Sequence, residues 1–210
     1  MKALSKEQLT GEWFAARVGK VTASRVHDVM AKSKRDGKPL KARSDYMTEL
    51  VIERLTGETF EHYVSPAMER GLDLEADAIS EYELSRDVQV VRVGFVAHPL
   101  IEQAGASPDG LVDDDGLIEV KCPEMGTHME TLLSGRVPPK YYAQMQWQMI
   151  CTERLWCDYG SYDPRFPPEL RLFVKRIFWD DQFVPEAEAA VMDFLREVDD
   201  MVARLKVLGR

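Results

Sequence analysis

A chain of 210 residues, 45% of them hydrophobic, has the material for one domain over 1–210 with a core of its own. Its net charge of -9 argues at first against a nucleic-acid partner, since phosphate binding rests on Lys and Arg. Three scattered cysteines, Cys122, Cys151 and Cys157, exclude a disulfide scaffold and point to a reducing cytoplasm, and with no run of roughly 18 apolar residues and only a short apolar stretch near the N-terminus, neither a signal peptide nor a membrane span is expected.

Ser5, with Gln8 three residues on, predicts a capping box for a helix running toward Arg17, and 22–31 reads as a second, short helix. Residues 32–43, with Gly37 and Pro39, form a polar loop. Ser44 is expected to cap a third helix, whose Met47, Leu50, Val51 and Leu55 keep helical spacing until Gly57 stops it. Met68, Leu72, Ala76, Ile79 and Tyr82 extend the pattern into a fourth. From Val88 the period becomes two, through 90–96, then 110–112, then 117–122, a run of adjacent strands. Pro139 precedes another helix, 155–162 and 170–179 are β-rich, and Pro185 opens a long final helix with Val191, Phe194, Leu195 and Val198 on its buried stripe. With no internal repeat or linker, the simplest architecture is α/β, helices around a central mixed sheet.

The charge is unevenly spread. Residues 17–43 hold nine Lys or Arg against two acids, a balance of +7, while 70–119 hold twelve acids against three Arg, a balance of -9. A basic arm beside an acidic block suits a metal-loaded site acting on a polyanion, because cations held by carboxylates reverse the local field. Two solvated faces would give the same count.

The chemistry concentrates between Ser107 and Pro123. Ser107-Pro108-Asp109-Gly110 is a turn entering a strand, and after a tight turn at 113–116 a second strand carries Glu119-Val120-Lys121. Alternation puts Glu119 and Lys121 on one face and Val120 on the other. Paired as a hairpin, the strands bring Asp109, Glu119 and Lys121 together. Two carboxylates can hold Mg²⁺ through hard oxygen ligands, with the Val120 carbonyl as a further candidate. The lysine can orient or help deprotonate the attacking water and offset charge in the transition state. A surface hairpin with a Glu119–Lys121 salt bridge accounts for the same residues without chemistry.

Resemblance decides between the two. Pro108-Asp109 followed by Glu119-x-Lys121 matches the PD-(D/E)xK signature of the restriction-endonuclease-like nucleases. Around it, Trp13-x-x-x-Arg17-x-Gly19-x-Val21-Thr22-Ala23-Ser24, Gly71-x-x-x-Glu75, Ser107-Pro108-Asp109-Gly110, Glu119-x-Lys121-Cys122-Pro123 and Tyr142-Ala143-Gln144-x-Gln146 occur in a telling order. That order resembles lambda exonuclease and its YqaJ-like viral-recombinase relatives from Trp13 to about Asp163, and Tyr162-Asp163-Pro164-Arg165 extends it.

The resemblance implies a restriction-endonuclease-like core forming a single nuclease domain. Asp109, Glu119 and the Val120 carbonyl correspond to metal ligands for Mg²⁺, with Mn²⁺ able to substitute, and Lys121 to the catalytic lysine. Glu75 corresponds to a helix carboxylate assisting the metal site and Gln144 to a glutamine of its wall. Arg17, Ser24 and Lys34 fall where relatives grip a terminal 5′-phosphate, although Lys offers a point charge in place of a bidentate fork. Met68 sits where relatives place an apolar wedge between separating strands. The resemblance further implies a homotrimer ring around double-stranded DNA, 5′-to-3′ digestion from linear ends to mononucleotides, and a single-strand annealing protein as partner. A structure-specific endonuclease or resolvase of the same fold is the alternative, and a non-catalytic DNA-binding subunit a third, against which the intact Asp, Glu and Lys speak.

Other candidates are weaker. His27, His62, His98 and His128 lack partners at metal or triad spacing and read as structural. Tyr141, Tyr142, Trp147 and Trp156 could stack on bases, but core packing suits most of them better. Cys122 reads as a small buried hydrophobe.

Overall fold

A computed structural model describes residues 1–5, 7–33, 35, 37–60 and 65–208. In chain order it contains β1 (Lys2–Ala3), α1 (Gly11–Arg17), β2 (Val21–Thr22), a 3-10 turn (Ala23–Arg25), α2 (Val26–Met30), α3 (Lys41–Thr56) and α4 (Pro66–Arg86). Five short strands follow: β3 (Val90–Val91), β4 (Val96–Ala97), β5 (Ala104–Ala106), β6 (Gly110–Val112) and β7 (Gly116–Lys121). Then come α5 (Met125–Ser134), α6 (Pro139–Thr152), β8 (Trp156–Tyr162), β9 (Leu172–Phe178) and α7 (Phe183–Leu208). No helix among the described residues is long and apolar enough to cross a membrane.

The α/β class with mixed strand directions holds, but the strands divide between two sheets, ordered β1-β4-β5-β2 and β3-β6-β7-β8-β9. β7 is the hub of the larger one. It pairs antiparallel with β6 and parallel with β8 from Gly116↔Trp156 to Lys121↔Ser161. A parallel pair needs a long crossover, which α5 and α6 supply. Alternation along β7 sends Ile118 and Val120 to the cluster of Ala78, Ile79 and Tyr82 on α4, and Leu117 to the larger core built from α2, α3, α6 and α7. α6 is buried continuously from Ala143 to Thr152, so any amide on it must find a partner inside the protein.

Several expected boundaries move for identifiable reasons. Ser5 caps no helix: its Oγ accepts from Phe95 N at 2.8 Å, and Gln8 Nε2 donates to Val93 O and Pro108 O. The cap is Thr10, accepting from Trp13 N. Ser44 lies within the first turn of α3 and donates to Lys41 O, while Leu40 starts that helix without a side-chain cap. The expected second helix opens as β2 and a 3-10 turn before α2 begins. The alternation over 88–96 belongs to two strands in different sheets, with the close packing of Gly94 on Ser5 between them. β5 and α5 were not expected: Ala104-Gly105-Ala106 shows no alternation, and α5 begins at Glu124 without a side-chain cap. Gly57 does end α3, in the left-handed region at φ 76°.

Candidate active site

The β6–β7 pairing sets Gly110 opposite Ile118, which leaves Asp109, one residue before β6, beside the end of β7. Gly110 is required there, since a Cβ would lie 2.0 Å from Val90 Cγ1. Asp109 Oδ2 accepts from Val120 N at 2.7 Å. Glu119 is fully buried and takes three donors: Lys121 Nζ and Gln144 Nε2 (2.5 Å) on Oε1, and Gln148 Nε2 (2.6 Å) on Oε2. Lys121 Nζ also stands 5.2 Å from the centre of the Tyr141 ring, which stacks on Tyr159. From α4, Glu75 Oε1 accepts from Arg92 Nη1 at 2.6 Å, and the same nitrogen donates to the Asp109 carbonyl at 2.8 Å.

Burial, then the charge of Glu119 and more weakly that of Glu75, hold the Asp109 carboxyl well above the usual carboxylate range, against Lys121 and the Val120 N–H. Burial alone would lower the Lys121 pKa, but Glu119 and Asp109 outweigh it and hold the ammonium above its ordinary value. Lys121 is therefore a cation in this state, suited to offset negative charge. Two acids forced together, one driven toward its protonated form, form a donor set that a divalent cation would relieve, and hard oxygens suit Mg²⁺ or Mn²⁺. Among the described residues no three His, Cys, Asp or Glu side chains stand at ligand spacing. A cation placed here would therefore draw on the side chains of Asp109 and Glu119, with the Val120 carbonyl as the further candidate.

Arg17, Ser24 and Met68 line one cavity of about 500 Å³, together with Trp13, Lys20, Thr22, Arg25 and Tyr46. Arg17 ends α1, lies 4.1 Å over the Trp13 ring and donates to Ser107 Oγ at 3.2 Å, where Trp13 Nε1 also donates. Burial lowers its pKa, with Tyr46 and Glu53 opposing; a guanidinium stays charged regardless. Ser24 is exposed, its Oγ 3.5 Å from Thr22 Oγ1. Arg25 is committed to Asp28 and Glu49 and stacks on Tyr46. Met68, 55% exposed, projects from the first turn of α4. Lys34 and His62 lie outside the described residues.

Sequence reasoning missed Gln148 and Arg92. A signal for Gln148 existed in the i,i+4 repeat of Gln144 and Gln148 on one helix face; Arg92 was hidden in the alternation read as one strand. Gln146, quoted in the same motif, serves the fold: Nε2 donates to Phe178 O and Oε1 accepts from Asp180 N. Asp163 is likewise structural, fully buried and bound by Arg165, with Arg70 Nη2 at 3.3 Å. Leu170 O can only accept, so His128 Nε2 carries a proton, and Ser161 Oγ binds Nδ1. His98 Nδ1 accepts from Leu100 N and Ile101 N, and burial lowers its pKa to about 4. Trp147 is core, and Trp156 lies beneath Arg176. Cys122 is only half-buried, packed against the α4 cluster.

The pattern of the YqaJ-like viral recombinase domain matches residues 12–155. Among solved structures, the alkaline exonuclease from Laribacter hongkongensis is 47% identical, with a TM-score of 0.88 over 95% of this chain and 98% of that one. The same exonuclease in complex with dAMP gives 47% identity and a TM-score of 0.89 over the same shares. A phage-related exonuclease from Haemophilus somnus shares the fold at 16% identity, with a TM-score of 0.71 over 89% of this chain and 96% of that one. No curated protein matches. The architecture is the restriction-endonuclease-like fold of these neighbours.

Proposed function

Because the chain belongs to the family of YqaJ-like viral recombinase domains, we propose that it is a metal-dependent exonuclease that digests linear double-stranded DNA 5′ to 3′, releasing mononucleotides and leaving a 3′ strand for annealing. The observation that carries this reading is the convergence of Asp109, bonded to Val120 N, with the Glu119–Lys121 ion pair at the end of β7. The 47% identity to an alkaline exonuclease supports it.

Asp109, Glu119 and the Val120 carbonyl would hold Mg²⁺ or Mn²⁺, which supplies a Lewis acid for activating water and neutralising the phosphate. Lys121 places its ammonium where charge builds on the phosphoryl oxygens. Gln144 holds Glu119, and Glu75, tied to Arg92, faces the same centre. Arg17 can pair bidentately with a terminal 5′-phosphate, with Ser24 and Lys34 beside it and Met68 at the strand junction. The proposal includes three copies in a ring and a single-strand annealing protein as partner.

The test is digestion of linear duplex labelled at either end and of closed circular duplex, with Mg²⁺ or with chelator. The expected result is metal-dependent loss of the 5′ label from linear DNA and an intact circle. Cleavage of the circle would instead indicate an endonuclease of the same fold.

A further inference from the structure

Gln144 and Gln148 stand one helical turn apart on α6, on a shared face. Each donates to a different oxygen of Glu119, Gln144 Nε2 to Oε1 and Gln148 Nε2 to Oε2. Glu119 and Gln148 are both fully buried. Gln148 Oε1, however, meets no donor among the described residues. Turning the amide round would set oxygen against oxygen at Glu119, so the carboxylate dictates the orientation. The residue forgoes its own acceptor to donate to a charged one, the stronger kind of hydrogen bond.

Gln146 is the contrast. It lies on the same helix and is equally buried, yet both ends of its amide are satisfied by backbone of 178 and 180. A glutamine serving the fold is satisfied in that way. Gln148 serves one carboxylate.

The terminal torsion of a glutamate is broad and two-fold. Donors on Oε1 alone would leave the carboxylate of Glu119 able to swing about that oxygen; a second donor on Oε2 fixes its plane. We propose that Gln148 is a positioning residue of the active site, locking the plane of the Glu119 carboxylate so that Oε1 faces Lys121, and the cation, at one angle. The proposal rests on the nuclease reading above.

Gln148→Met keeps the length of the side chain and removes the donor; Gln146→Met makes the same change where only the fold is served. Each is compared with the full-length wild type by kcat and KM on linear duplex, by calorimetric titration with Mn²⁺ in the absence of DNA, and by Tm. Gln148→Met should lower kcat and weaken Mn²⁺ binding by about 10- to 100-fold, the usual effect of losing an outer partner of a metal ligand, with KM for DNA unchanged. Gln146→Met should lower Tm and leave kcat and Mn²⁺ affinity alone. Wild-type kcat and Mn²⁺ affinity in Gln148→Met, or equal losses in both variants, would overturn the inference. Should Gln148→Met not fold, Gln148→Asn, whose amide falls one methylene short, reads the same: weaker Mn²⁺ binding supports the role and unchanged binding refutes it. A wild type that digests no duplex refutes the nuclease reading itself.

Discussion

Asp109→Asn should stabilise the protein while abolishing its activity. Burial and the charges of Glu119 and Glu75 push the folded-state pKa of Asp109 up, whereas in the unfolded chain an Asp titrates near about 3.9. With the folded value raised, the native state binds the proton more tightly, so stability is greatest at low pH and is lost as pH rises through the folded pKa. Well above the unfolded-state pKa and without metal, the buried Asp109 carboxyl works against the fold. Asparagine has the same shape and no charge, and its Oδ1 can still accept from Val120 N, as Asp109 Oδ2 does. Relief of this kind is worth about 0.5–2 kcal/mol, which for a domain this size converts to a Tm rise of about 1–8 °C. The assay is thermal unfolding in chelator from pH 8 down toward pH 4, alongside digestion of linear duplex in Mg²⁺. The Tm gain should shrink as the pH falls, and cleavage should drop by about two orders of magnitude or more, the loss expected with a metal ligand worth several kcal/mol. A lower Tm at pH 8, a gain that persists undiminished at low pH, or retained cleavage would refute the reasoning.

Chelator should abolish digestion, and Mg²⁺ or Mn²⁺ should restore it, while Ca²⁺, larger and irregular in coordination, should permit DNA binding with little turnover; full activity in chelator would contradict the site. Arg17→Ala should slow digestion of 5′-phosphorylated duplex far more than of 5′-hydroxyl duplex, and initial rates on the two substrates will show whether that ratio shrinks. Asp163→Ala removes a fully buried carboxylate from Arg165 and Arg70. With Arg165 open to water no buried charge is stranded there, so calorimetry should show a modest fall in Tm, and an unchanged Tm would contradict the structural role of Asp163.

The parts legible in the sequence are those that local chemistry determines. Gly57 at the end of α3 and the alternation of Leu117, Ile118, Glu119 and Val120 on β7 were readable because turn stereochemistry and strand period act over a few residues. The grouping of Asp109 with Glu119 and Lys121 follows from one hairpin. Ser5 was misread because a serine before a helical stretch has two possible acceptor roles, and the N–H it satisfies belongs to Phe95, far along the chain. Arg92 and Gln148 escaped for a related reason: their partners, Glu75 and Asp109 for one and Glu119 for the other, are set by how α4 and α6 pack on the sheet. No local period encodes that packing.

One short segment joins the cavity lined by Arg17 to the group of Asp109, Glu119 and Lys121. Ser107 Oγ accepts from Trp13 and Arg17, the Pro108 carbonyl from Gln8, and Asp109 from Val120 on its carboxylate and Arg92 on its carbonyl. Three consecutive residues are thus held by α1, by the segment before it, by β7 and by the arm between β3 and β4. Proline in the middle restricts the backbone further, since its ring fixes φ. Ser107-Pro108-Asp109-Gly110 is therefore held at each step: Ser107 takes Arg17, Asp109 takes the end of β7, and Gly110 lets the strand pass beneath Val90, so a change at any one of these contacts reaches both the Arg17 cavity and the Asp109 carboxylate.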